Sequence, residues 1–215
     1  MNGRSGFFKR NGLLIVFGFF MVLSLFAQAV TGYMENRQER EEKHLSHLSF
    51  NQYLHSGHFI QATFENWESE FLQMGLYVLF TVFLFQKGSA ESKSLEEAEE
   101  VDREPKAHAK APWPVKKGGI YLTLYKNSLS LMFGLLFLLC FIAHAYGTMK
   151  NINEEEGKSI TLLQTFLETR FWFESFQNWQ SEFLSVAAIV FFSIYLRQQG
   201  SPESKPVDSA HEDNS

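Results

Sequence analysis

A single cysteine, Cys140, among 215 residues rules out any disulfide within the chain and, with no second thiol, suggests no thiolate metal centre. Basic residues do not dominate either. Nineteen Lys and Arg stand against 24 Asp and Glu, a formal net charge of -5, and no segment carries the basic patch that a nucleic-acid partner requires. A glycine-rich phosphate loop, a GxSxG elbow and an HExxH helix are also missing, so no enzymatic activity and no cofactor are expected.

What the chain has instead is apolar and aromatic bulk: 45% hydrophobic residues, 23 of them Phe, segregated into four runs. Mean hydropathy is slightly negative only because a charged linker and a polar tail dilute those runs. This is a membrane composition, and the expected fold class is an all-α membrane protein with four transmembrane helices. The first run, Leu13 to Gly32, holds 20 residues without a charge, and as a helix it is roughly 30 Å long, enough to cross a bilayer. Its counterpart runs from Ser128 to Gly147. The other two, Phe71 to Phe85 and Phe183 to Leu196, reach spanning length only by recruiting the polar residues before them.

Those polar residues belong to a duplication. Residues 64–93 recur as 176–205 at a constant offset of 112, with 16 of 30 positions identical, including NWxSEFL and GSxESK. The repeat unit is an apolar run, a polar loop, NWxSEFL, a second apolar run and a Gly-Ser exit. Two such units of two spans each run in the same direction, related by a pseudo-twofold axis along the membrane normal. The boundaries are 8–93 and 121–199 for the repeats, 94–120 for a disordered linker and 200–215 for a disordered tail, both polar and poor in periodic apolar residues. Phe50, Tyr53 and Leu54, and then Leu162, Leu163, Phe166 and Leu167, recur at helical spacing before each NW pair. They suit short amphipathic helices on the outer membrane surface, or a loop packed on the bundle. Asn11 and Asn127 resemble matching N-caps, and Gly88 and Gly200 resemble left-handed C-terminal caps.

Four spans leave both termini on one side, where 13 of the 19 Lys and Arg fall, so both termini are expected in the cytoplasm. Arg4, Lys9 and Arg10 followed by apolar residues and Ala27-Gln28-Ala29 also fit a cleavable signal. Ala143-His144-Ala145 repeats that pattern in mid-chain at an offset of 116, where a signal has no role, and the expectation is a retained span.

Asn66, Ser69, Glu70 and Gln73 fall within an arc of about 100°, as do Asn178, Ser181, Glu182 and Ser185, so each second helix carries a polar stripe. Trp67 and Trp179 point elsewhere and suit anchors at the headgroup level. Gln28 and His144 occupy equivalent places in the first and third runs. The candidate polar path is therefore Asn66, Ser69, Glu70, Asn178, Ser181, Glu182, Gln28 and His144, with Glu70 and Glu182 either buried and paired or hydrated in the first helical turn. A histidine cluster at His44, His47, His55 and His58 lacks a completing ligand set, and no metal is expected.

FENWESEFLQ with QKGSAESK, AQAVTG at the end of the first run and the second copy FQNWQSEFL together resemble an uncharacterised family of small bacterial integral membrane proteins, designated only as a domain of unknown function. The resemblance covers roughly residues 8–93 and 121–207. It implies a bacterial inner-membrane location and transfers no activity. The copies differ at Glu65/Gln177 and Glu68/Gln180, leaving Glu70 and Glu182 as the shared acids. The leading expectation is a structural, regulatory or partner-binding membrane protein, in contact with lipid and with a second copy or another membrane protein. The alternative is a small proton- or ion-coupled transporter or channel using Glu70 and Glu182.

Overall fold

The computed structural model describes residues 6–212, so Arg4 and the last three residues of the tail lie outside it. Every regular element among the described residues is helical. In chain order these are α1 (Phe7–Glu42), α2 (Phe50–Tyr53), α3 (Gly57–Phe80), α4 (Trp113–Lys117), α5 (Gly119–Lys126), α6 (Ser128–Glu155), α7 (Leu162–Thr165) and α8 (Thr169–Tyr195), with a 3-10 turn at Glu100–Asp102. The chain divides into two compact units, one of residues 1–63 and 145–165 and one of 64–144 and 166–215.

Among the described residues two helices, not four, are long and apolar enough to cross a membrane: α1 and α6. Almost none of the apolar window of α1 is buried, and little of that of α6. The core helix of a water-soluble fold would be mostly buried. The shortfall in α3 and α8 has a plain cause. Both helices start well before NWxSEFL, at Gly57 and Thr169, and α3 ends at Phe80 rather than Phe85, so every stretch of spanning length in either includes that motif's polar residues. Glu70 and Glu182 therefore do not stand in a first helical turn, and stabilisation by the positive helix end, which fades within one turn, does not reach them.

In the first unit, the loop helices are single turns of four residues each. Ser49 and Gln52 cap each other reciprocally at the start of α2, and Thr161 and Gln164 repeat the arrangement before α7. Tyr53 is packed inside, against Tyr33 and Phe59. Burial, with the nearby charges of Glu35 and Glu39, pushes its phenol up to about 12. The start of α3 lies directly on the end of α6, because Gly147 faces the Gln61 backbone and Gly57 faces that of Asn151, with no room for a Cβ at either. Polar pairs line this seam: Asn151 Nδ2 donates to Gln61 Oε1 (3.2 Å) and the Gly57 amide donates to Glu154 Oε2 (3.0 Å). Asn11 is not an N-cap. It lies inside α1 and its amide donates back to the Phe7 carbonyl; Asn127 does stand at the N-cap place of α6, its carbonyl accepting from the Leu131 amide (3.0 Å), while its side chain donates to the Thr123 carbonyl.

In the second unit, α3 meets α6 where Gly75 approaches Phe133. Phe141 stacks on Phe166 and meets Phe171 edge-on, joining α6 to α8. Each repeat ends in the same hydrogen-bonded loop. Ser92 Oγ accepts from the Gln86 amide (2.8 Å) and Ser89 Oγ from that of Glu91 (3.1 Å); Ser204 accepts from Gln198 (2.9 Å) and Ser201 from Glu203 (3.2 Å). Gly88 and Gly200 adopt φ of 83° and 84°, as expected, but within these loops rather than at a helix end. Lys205 is buried and donates to the carbonyls of Ala210 and His211. Lys205 lies in the tail segment, and α4 lies within the linker segment.

Candidate functional site

Three helices of the second unit converge on His144. The imidazole, on α6, is fully buried and packs on the ring of Phe171, with centroids 4.6 Å apart. Its Nδ1 lies 3.1 Å from Glu68 Oε2, and Glu68, on α3, is itself fully buried. The second oxygen of that carboxylate accepts from Ser175 Oγ on α8 at 3.0 Å. On the other side of the ring, Nε2 lies 3.4 Å from Glu174 Oε2 and 3.8 Å from Glu65 Oε2. Arg170, one turn before Glu174 on α8, donates through Nε to Glu174 Oε1 at 2.8 Å.

Helical spacing makes this arrangement. Glu65 and Glu68 are three residues apart on α3 and so share a face, and Arg170 and Glu174 are four apart on α8. Charge compensation within the centre is incomplete. Three carboxylates face one guanidinium and one imidazole, so even an imidazolium leaves the centre one positive charge short. Burying a carboxylate costs several kcal/mol unless it is paired, so such a centre favours taking up a further positive charge, a proton or a metal cation.

Of the residues expected from sequence to form a polar path, only His144 lies in this centre. Gln28, in the first unit, donates to Thr63 Oγ1 at 3.4 Å. Ser69 is buried and donates to the Asn66 carbonyl (2.7 Å), and Ser181 does the same to Asn178 (2.8 Å). Asn66 and Glu70 are exposed, while Asn178 and Glu182 are half-buried. Glu70 and Glu182 are near enough to interact electrostatically, and neither contacts His144. Trp67 meets Phe64 edge-on; Trp179 packs on Phe137 and Phe176, and its Nε1 has no acceptor among the described residues. The outer-loop histidines form no ligand group: His55 and His58 meet Asn51 and Tyr53 instead. A group with metal-ligand geometry does occur among the described residues, at Glu65, His144 and Glu174, whose ligand atoms all lie within 4.8 Å of one another.

Repeat reasoning missed Glu65, Glu68 and Glu174 because it favours what both copies share. The signal that finds them is the opposite one. His144 stands where the first copy has Gln28, and Glu65 and Glu68 stand where the second copy has Gln177 and Gln180, so the departures from symmetry go together. The chain belongs to the DUF6766 family, a domain of unknown function, whose model matches residues 4–215. No curated protein and no solved structure matches it.

Proposed function

We propose that this member of a family of unknown function is a multi-pass protein of the bacterial inner membrane whose His144 centre handles a cation, as in a small cation-coupled transporter or channel. The observation that carries this reading is the buried centre itself: Glu68 and His144 are fully enclosed, Glu65 and Glu174 largely so, and the carboxylates outnumber their cationic partners. Ionisable side chains within apolar helices are costly and typically mark ion or substrate paths. In this reading α1, α3, α6 and α8 are the four spans, both termini are cytoplasmic as the basic residues favour, and no enzymatic step is involved. The acids concerned are Glu65, Glu68 and Glu174 rather than Glu70 and Glu182.

The test is flux in proteoliposomes under pH and cation gradients. Wild type is expected to move a cation, the Glu174→Gln variant to lose that flux, and the Glu70→Gln/Glu182→Gln double variant to retain it. A wild type that moves nothing leaves the second reading, a structural or partner-binding role. One observation favours that second reading. Leu13, Phe17, Phe20 and Phe26 on α1 are exposed, a surface that a second copy or another membrane helix covers as well as lipid does.

A further inference from the structure

From the disposition of acceptors around His144, we infer that Glu65, His144 and Glu174 form a binding site for a divalent first-row transition-metal ion, with Glu68 as the residue that orients the imidazole. This deepens the reading of the centre as a cation site and rests on it. Each oxygen of Glu68 already has a partner, Ser175 Oγ on one and His144 Nδ1 on the other. A neutral imidazole whose Nδ1 hydrogen is given to Glu68 turns the Nε2 lone pair toward two further carboxylate oxygens, those of Glu174 and Glu65. That nitrogen and the two oxygens lie within 4.8 Å of one another, and a cation that displaces any proton among them can be coordinated by all three.

The dimensions agree. Ligand atoms about 2.0–2.2 Å from a tetrahedral metal stand roughly 3.4 Å apart along each edge. Nε2 lies 3.4 Å from one carboxylate oxygen and 3.8 Å from the other, so small side-chain rotations close the set. The carboxylate behind the histidine is the usual companion of a metal-bound imidazole, fixing its tautomer and orientation. Arg170, on the far oxygen of Glu174, leaves the near oxygen for the metal. One nitrogen and two carboxylate oxygens suit Zn²⁺, Fe²⁺ or Mn²⁺. Ca²⁺ and Mg²⁺ are hard ions that take oxygen ligands, and the imidazole nitrogen in this set counts against them.

The test is binding to the purified full-length chain in detergent after chelator treatment, by calorimetric titration with Zn²⁺ and with Mn²⁺, together with X-ray absorption of the zinc-loaded protein. One ion per chain is expected, with a first shell containing a single imidazole and only nitrogen and oxygen ligands. Glu65→Gln and Glu174→Gln should each weaken binding at least tenfold, and Glu68→Gln should weaken it about tenfold to a hundredfold while leaving the first shell unchanged. Glu70→Gln and a His47→Ala/His55→Ala variant should bind as wild type does. Absence of saturable one-to-one binding overturns the inference, as does binding that survives Glu65→Gln and Glu174→Gln or vanishes with the outer-loop histidines. Because Glu65 is partly exposed, its variant keeps the test interpretable if His144 substitutions do not fold. Binding without flux supports the metal site and removes the transport role; flux without binding overturns the metal site and leaves transport standing.

Discussion

Ser175 reports on the His144 centre without carrying a charge of its own, which makes it a clean probe of how far the buried acid depends on its donors. Ser175→Ala takes one hydrogen bond from Glu68 and leaves that oxygen enclosed. The expected loss is about 1.5–3 kcal/mol, the worth of a hydrogen bond to a charged group, seen as a lower midpoint in thermal or denaturant unfolding, whereas Glu70→Gln at an exposed site should leave the midpoint nearly unchanged. A second residue-scale prediction concerns pH. Glu91, in the first exit loop, accepts from Tyr77 and faces Glu203 of the second; burial and then the Glu203 charge raise its pKa above the ordinary carboxylate value, although the Tyr77 hydrogen bond acts the other way. An acid whose folded pKa is raised stabilises the fold below its unfolded value and loses that contribution as pH rises through the folded one. The exit loops should therefore loosen as pH climbs above the normal carboxylate range, measured as falling hydrogen-exchange protection factors at residues 86–93 after correction for the base-catalysed intrinsic rate, and Glu91→Gln should remove that fall. Of these residues the sequence makes only some visible. His144 stands out as a polar side chain in an apolar run, but Glu65 and Glu68 look like unremarked members of a charged stretch until α6 and α8 are brought against α3.

At the scale of elements, the four long helices and the offset between copies are legible from hydrophobic runs and from repetition. Their starting points are not. The sequence places a helix opening at NW, but the helices begin at Gly57 and Thr169, because residues 57–63 pack against the end of α6 and are helical through that contact rather than through local pattern. Close approach is concentrated at glycines, and this separates two similar-looking substitutions. Gly147→Ala drives a methyl into the Gln61 backbone and should cost about 1–3 kcal/mol, as overpacking commonly does. Gly134→Ala, on the same helix with nothing within 4 Å, should be neutral or stabilising by up to about 1 kcal/mol, since alanine favours helix over glycine. Thermal shift of the two variants side by side checks the pair.

For the whole molecule, the distribution of Lys and Arg predicts that reporter fusions at residues 100 and 210 register cytoplasm and those at 45 and 155 the outer side; an outer location for residue 100 would contradict the charge argument. The expected topology follows from composition alone and awaits those reporters, while the charged centre depends on which helices converge and is not visible in composition. The mismatch between copies has a further consequence. Glu65, Glu68, Glu174 and His144 correspond to Gln177, Gln180, Ala62 and Gln28, so every carboxylate of the centre has an uncharged twin. Two identical half-length chains in a symmetric pair would have to build the centre twice or not at all, and twice would mean desolvating six carboxylates. Fusing the copies into one chain allows one half to go silent: Gln28 and Thr63, the counterparts of His144 and Ser175, keep a neutral hydrogen bond where their twins attend to a charge. Duplication here made room for asymmetry, and a chain cut back to a single repeat has no means of assembling the charged centre.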